Sequence, residues 1–438
     1  MLDSPANETS AITRATFSSL VRNPDVAPFG CTGNKITAGG ILMDVRLEPT
    51  VVHGFRFAGI AAGLRSEPGR KDLGIIVADA AVAAAGVFTT SRIKAAPVIV
   101  AQEHLRSGHL QAVAANSGSA NCFTGKAGIT LARESCAAVA TAVGCQNQLV
   151  APCSTGVIGH LYDLEKYRAG VGAAVLTPEG LSDFASAIMT TDTHPKIASA
   201  VARSGRTKIT IAGCAKGAGM IEPRMATMLA FIVTDVAARP LQLRNLLKNV
   251  LPRSFNAITV DGDMSTNDTL LLMASGAAAN TPLAGRDLQN LERAIGDVAE
   301  ALARELVRDG EGASKLVTVE VRGARSETDA NRIARSIANS PLVKTAFFGC
   351  DPNFGRIAMA AGKAGVEFDA ERLDVSLAGI KIARRGALNV ESLAAAGARM
   401  KEREFGLTLD LKMGQARARV ITCDLSYDYV KINAEYTT

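Results

Sequence analysis

Between Asp287 and Arg308, the residues Leu288, Leu291, Ile295, Val298, Leu302 and Leu306 recur at spacings of 3, 4, 3, 4 and 4. That period makes a helix with one apolar face, and the face must be covered by something else. Short apolar runs elsewhere supply the cover. Leu73 to Val77 and Ala81 to Phe88 read as paired strands separated by a turn, and Ala112 to Ala115 as a short strand ending at the polar segment Asn116 to Gly125. Ile129 to Val143 reads as a helix, Leu316 to Val321 alternates as a strand, and Asn331 to Ala338 is a short helix stopped by Pro341. Phe405 to Leu411 and Ala416 to Asp424 flank Met413-Gly414-Gln415 and read as a hairpin with one buried face. Strands and helices mix throughout, with hairpins rather than strict strand–helix–strand units. The expectation is an α/β (α+β) layered sandwich rather than a doubly wound sheet. Aromatic residues are 4% of the chain and Trp is absent, so Ala, Val, Leu and Ile must build the core.

The bulk charges exclude several classes of function. The net charge of +6 is spread over 438 residues without a concentrated basic stripe, which argues against a nucleic-acid partner and for anionic small molecules. No apolar run reaches the ~18 residues of a membrane span. The eight cysteines form no C-x-x-C pair and read as thiols of a reducing cytoplasm. The five histidines form no H-E-x-x-H pair, so no metal is expected. Residues 1–45, rich in Ser, Thr, Asn, Pro and Gly and lacking an apolar signal-peptide core, read as a loosely ordered extension.

The segment from Lys216 to Phe231, K-G-A-G-M-I-E-P-R-M-A-T-M-L-A-F, carries the chemistry. A Gly- and Pro-containing loop runs directly into an apolar stretch, with Ala226-Thr227 at the junction. A threonine hydroxyl is a weak nucleophile without a base. If the peptide bond before it is cut, its own α-amine, with an ordinary pKa of about 7.7 to 8.0, can take the hydroxyl proton. On composition alone, Thr227 reads first as an ordinary helix or strand residue satisfied by a backbone carbonyl.

That segment resembles the cleavage segment of the ornithine acetyltransferase (glutamate N-acetyltransferase) family of arginine biosynthesis. Further stretches match in order. Among them are Asn116 to Asn121, Ser154-Thr155-Gly156-Val157-Ile158-Gly159, Met189 to Thr193, Ile258 to Asp263, Ser265 to Asp268, Asp309 to Ala313 and the tail Tyr427 to Thr438. The resemblance covers Phe55 to the last residue.

The resemblance implies a layered αββα-type sandwich of mixed sheets. It implies self-cleavage at Ala226-Thr227 into chains 46–226 (with the extension 1–45) and 227–438. Thr227 would then take acetyl from N-acetylornithine and pass it to glutamate by ping-pong, without a cofactor; some family members also use acetyl-CoA. Thr155 and Gly156 would form the oxyanion hole. Thr190, Lys216, Thr227, Glu311, Asn433 and Thr438 would bind substrate, Lys216 being the natural partner of a carboxylate and Glu311 of an ammonium. The two chains would stay associated as an α2β2 heterotetramer. Glu222, Arg224, Met264 and Cys122-Phe123 depart from the family pattern. Two alternatives stand beside this one: a self-processing aminopeptidase or amidase with the same nucleophile, in which water accepts the acyl group, and a phosphate-binding module. Gly362-Lys363-Ala364 lacks the Ser/Thr and spacing of a phosphate-binding loop.

Overall fold

The computed structural model describes residues 45–222 and 228–435. Ala226, Thr227, Arg224, Thr438 and all but the last residue of the 1–45 extension lie outside them. The strands are β1 Phe55–Ile60, β2 Leu73–Phe88, β3 His109–Ser119, β4 Val150–Val157, β5 Lys196–Ser204, β6 Thr207–Lys216, β7 Leu229–Thr234 and β8 Thr269–Ala274 in the first part of the chain. The second part adds β9 Leu316–Ala324, β10 Asp374–Leu377, β11 Ile380–Arg384, β12 Ala387–Leu388, β13 Glu404–Asp410 and β14 Ala416–Cys423. The helices are α1 Ala96–His104, α2 Gly125–Val143, α3 Leu164–Gly172, α4 Leu181–Ala187, α5 Pro240–Val250, α6 Gly285–Arg308, α7 Glu327–Ala338, α8 Pro341–Phe348, α9 Phe354–Gly362, α10 Leu393–Arg399 and α11 Tyr427–Glu435.

The strands form two mixed sheets in a layered α/β arrangement, as expected. The first has eight strands in the order β4-β3-β2-β8-β7-β6-β5, with β1 paired to β2. Only β3/β4 and β7/β8 run parallel in it. One face buries Phe57, Val113, Phe231 and Met273 in a core shared with Phe184 of α4. The opposite face is covered by α5 and α6 at one end and by α2 and α3 at the other. The apolar stripe of α6 lands as its period requires. Leu291, Ile295, Val298, Leu302 and Leu306 are all buried, and the helix packs on β5 and β6. Each such side chain contributes about 1.5–3 kcal/mol of hydrophobic burial, an upper figure against a partly collapsed unfolded chain.

Three strand expectations need correction. Leu73 to Phe88 is one strand, not two; in place of the turn expected between Val77 and Ala81 there is an irregularity, exposed at Asp79 to Ala81, where the register with β3 shifts between Val77 and Val82. The first half pairs with β1 and the second with β8, so one strand serves two neighbours. The β13–β14 hairpin is also absent. The six-stranded order is β12-β11-β10-β13-β9-β14, with β9 inserted between the two, parallel to β13 and antiparallel to β14. Alternation shows that both strands have a buried face but not that they touch. The interior Val317, Val319 and Val321 of β9 pack in the same core as Leu407, Leu409 and Val420. Likewise β3 does not stop at Ala115 but continues through Asn116 to Ser119.

The Ala226-Thr227 junction falls between β6 and β7, which are hydrogen-bonded neighbours from Lys216↔Leu229 to Ile211↔Thr234. Chains divided there would remain joined by that ladder.

Candidate active site

Lys216 is the last residue of β6 and is buried. Its Nζ donates to Thr190 Oγ1 at 2.7 Å and to Thr155 Oγ1 at 3.0 Å. Three residues singled out in the sequence, separated by up to 61 positions, thus meet on one ammonium. An ammonium can only donate, so both hydroxyls accept from it and keep their own protons for other acceptors.

Thr155 and Gly156 lie near the end of β4. Gly156 has φ +125°, and a Cβ there would lie 2.4 Å from the Gly118 carbonyl carbon on β3. Only glycine fits that back-to-back approach. Glu311 lies against Gly219, where a Cβ would meet the carboxylate at 2.4 Å, and its backbone N–H donates to the Ala218 carbonyl at 2.9 Å. Asn433 on α11 donates from Nδ2 to Glu311 Oε2 at 2.8 Å. Helix α11 therefore brings Asn433 onto the site. Thr155, Gly156, Thr190, Lys216, Glu311 and Asn433 all line one cavity of about 430 Å³, and Met228, covalently next to Thr227, lines it as well. Thr191, which adjoins Thr190, faces the same space.

Beneath this wall lies a buried ionic cluster that the motifs alone do not reveal. Lys196 is 1% exposed and donates to Asp192 Oδ1 at 2.6 Å and Asp309 Oδ2 at 2.5 Å. The second role of Asp192 is to accept from the backbone of Gly217 at 2.6 Å and of Thr190 at 2.9 Å. Burial works against its charge, but Lys196 and Lys216 prevail and hold its carboxyl well below the usual range. Burial also pulls the Lys216 ammonium below its ordinary value, opposed by Asp192 and Glu311. His194 is raised to about 9 by its hydrogen bonds to Asp309 and Glu305.

Asp261 is a further residue whose part is not evident from its motif. Its carboxylate accepts from the backbone N–H of Met220 at 2.6 Å and of Ile221 at 2.8 Å, and from Tyr429 OH at 3.4 Å. It secures the loop leading to the Ala226-Thr227 junction, with Met220 held at φ 56°. Glu222, which departs from the family pattern, has partners: Asn339 Nδ2 and Arg335 Nη1 donate to its Oε1 at 2.8 and 3.2 Å. The signal for Asp192 and Asp261 is present in the motifs around them, but nothing in a linear string distinguishes a buried aspartate from a solvated one.

The geometry fits a small zwitterion: Lys216 and Glu311 offer a cation and an anion, with several hydroxyls and further carboxyl groups around a common cavity. The family model described as the ArgJ family matches residues 56–438. The arginine biosynthesis bifunctional protein ArgJ of Geobacter sulfurreducens is 47% identical over 392 residues, covering 88% of this chain and 100% of that protein. The protein of the same name from Symbiobacterium thermophilum is 44% identical, covering 89% of this chain and 98% of its own. Among solved structures, the arginine biosynthesis bifunctional protein from Bacillus halodurans is 40% identical, with a TM-score of 0.47, over 48% of this chain and 100% of that one.

Proposed function

The chain belongs to the ArgJ family, and from that premise we propose that it moves an acetyl group from N-acetylornithine to glutamate on the hydroxyl of Thr227. The observation that carries this reading is the cavity that gathers Thr155, Gly156, Thr190, Lys216, Glu311 and Asn433 beside Met228. Scission of the Ala226–Thr227 bond frees the α-amine of residue 227. That amine takes the hydroxyl proton as the oxygen attacks the acetyl carbonyl. The oxyanion that forms needs fixed donors. The Thr155 hydroxyl suits the task because Lys216 occupies its lone pair and leaves its proton available; the Gly156 backbone N–H is the second donor. Collapse expels ornithine, whose nitrogen takes the proton held by the amine, and leaves the acetyl as an ester. Glutamate then attacks that ester by the same steps in reverse.

Lys216 directs two N–H bonds to the threonines and keeps one of its three donors for a substrate carboxylate. Glu311, steadied by Asn433, faces the substrate ammonium. Thr438 belongs to the same proposed wall. No bound coenzyme is needed, and acetyl-CoA would enter only as an alternative donor at the ester-forming step. The two chains pair through the β6–β7 ladder, and association of two such pairs into an α2β2 assembly, in the cytoplasm, belongs to the proposal.

The test is partition of the acyl group. Purified protein given acetylornithine should release ornithine only as fast as added glutamate accepts acetyl, and Thr227→Ala should abolish both transfer and scission. Ornithine release at full rate without glutamate would make the enzyme an amidase, with water as acceptor. Turnover by uncut Thr227→Ala would remove the nucleophile from the account.

A further inference from the structure

Asn267 lies two positions before β8, on the wall of the substrate cavity, and is buried. Its amide is fully committed. Nδ2 donates to the Ser154 carbonyl at 2.8 Å and to the Ala120 carbonyl at 2.7 Å, and Oδ1 accepts from Thr266 Oγ1 at 2.7 Å. A primary amide has two N–H donors, so neither remains for a substrate. Its neighbour Asp268 is the opposite case: Oδ2 is the one buried side-chain polar atom among the described residues without a hydrogen-bond partner. An amide on a cavity wall that offers the cavity no donor is holding something else in place.

What it holds is the backbone on either side of Thr155 and Gly156. The Ser154 carbonyl belongs to the peptide that leads into Thr155. On the far side, the Val157 carbonyl accepts from the Ala120 N–H at 2.9 Å. Ala120 thus bonds Val157 through its N–H and Asn267 through its C=O. The two residues sit in a closed ring of bonds: Asn267 to Ser154, along the chain to Val157, across to Ala120 and back to Asn267. The β3–β4 ladder is irregular at this point, its register shifting between Gly118 and Ser119. A disrupted ladder leaves its peptides less determined, and the ring supplies the missing restraint. The same segment also reaches the other wall. Thr269 N–H donates to the Met228 carbonyl at 2.9 Å, where the β7–β8 ladder begins. Asn267 and Thr269 together therefore set the spacing between β4 and β7, although β3, β2 and β8 lie between those strands in the sheet.

We propose that Asn267 is the positioning residue of the oxyanion hole: its amide holds the Thr155–Gly156 backbone at the distance from β7 at which both donors meet the developing charge. The inference rests on the reading of Thr155 and Gly156 given above. Lys216 fixes the Thr155 side chain; Asn267 fixes the backbone that carries it. Such donors work because they are in place before the charge develops, with no reorientation left to make during reaction. Loosening that backbone weakens the transition state, whereas the bound substrate is still gripped by Lys216 and Glu311.

The variant Asn267→Ser tests this, since one short hydroxyl cannot span both carbonyls. In mature, cut enzyme it should lower kcat on the order of 10²-fold while KM for acetylornithine moves little. Thr155→Ala and the double variant complete a cycle. Two residues acting on one oxyanion should give a combined loss about tenfold smaller than the product of the single losses. Losses that simply multiply, a loss carried by KM, or a wild-type kcat in Asn267→Ser would make Asn267 a purely structural tie and overturn the proposal. A wild-type rate in Thr155→Ala would instead remove the oxyanion reading, and the inference with it. Hydrogen exchange decides the matter if Asn267→Ser does not mature. In uncut Thr227→Ala protein, adding Asn267→Ser should speed exchange of the Ala120 amide about tenfold and leave the β13 amides unchanged. Equal protection at Ala120, or loss of protection in β13 as well, would overturn the proposal.

Discussion

The two sheets of this molecule handle charge in opposite ways. In the six-stranded sheet the interior is Val317, Val319, Val321, Leu407, Leu409 and Val420, all buried and apolar. One of its acidic residues, Asp374, meets Lys381 and Lys412, whose side chains are 53% and 36% exposed. At the carboxyl end of β6 in the eight-stranded sheet, Asp192, Lys196, Asp309, Lys216 and Asp268 are buried together. Burying charges is costly unless they are mutually paired, and apolar residues of the same volume would serve stability as well or better. A region that nonetheless concentrates them is organised for something other than stability, and here it surrounds the cavity. The second sheet is a frame, and Lys344 of α8 braces its edge by donating to Thr422 Oγ1 of β14 at 3.0 Å.

The largest separation between the two regions should come from Lys196→Met against Leu407→Ala. Removing Lys196 leaves Asp192 and Asp309 buried without their shared cation and should cost about 3–5 kcal/mol, together with activity, because Asp192 positions Gly217 and Thr190. Leu407→Ala should cost a comparable ~2–5 kcal/mol through its cavity but leave kcat per molecule of cut enzyme unchanged. Denaturant melts and active-site titration on both variants check this; equal losses of kcat would erase the distinction.

Lys216→Met comes next. It should lower kcat/KM by about 10²–10³, the scale of losing one fixed donor group at such a site, with little change in melting temperature because Lys196 still compensates Asp192. A large stability loss with normal kinetics would place Lys216 among structural residues.

Glu222→Gln should have a smaller effect, confined to maturation. The carboxylate is tied to Arg335 of α7 and to Asn339 just beyond that helix, and weakening that anchor should slow scission several-fold while mature enzyme works normally. A time course of chain cutting on a denaturing gel shows it.

The smallest effect is a pH dependence. His194 titrates near 9 in the folded protein, above the ordinary value of about 6.5, because Asp309 and then Glu305 hold its charged form. A raised folded value adds stability that is complete below about 6.5 and is lost as pH rises through about 9. Melting temperature should therefore fall modestly across that window, and less in His194→Gln. Asp374→Asn should leave the same window unaltered, since Lys412 holds the Asp374 carboxyl well below the usual range, far from that window.

The contrast between the sheets extends to what a linear string can reveal. The period of α6 places its helix and its buried face within two residues, because 3.6-residue spacing has one geometric solution. Thr155, Gly156, Thr190, Lys216, Glu311 and Asn433 are each legible in the sequence, and they line one cavity. That convergence comes from an ordered series of motifs, since each alone resembles an ordinary turn or surface charge. The insertion of β9 between β13 and β14 is not legible, because alternation reports which face is buried and not which neighbour is bonded. Nor is the ionic cluster: Lys196 and Asp309 are 113 positions apart, and a lone lysine in a string reads as solvated. Asp268 lies within a family-like motif, but its orphaned oxygen is a property of packing alone.

The central claim is that residue 227 carries the acetyl group on a freed chain end. Intact-protein mass spectrometry after incubation with acetylornithine alone, glutamate withheld, addresses it most directly. The account predicts two fragments, with the 227–438 fragment heavier by one acetyl group and returning to its original mass when glutamate is added. Full-length, unmodified protein that still transfers acetyl at its full rate would contradict it.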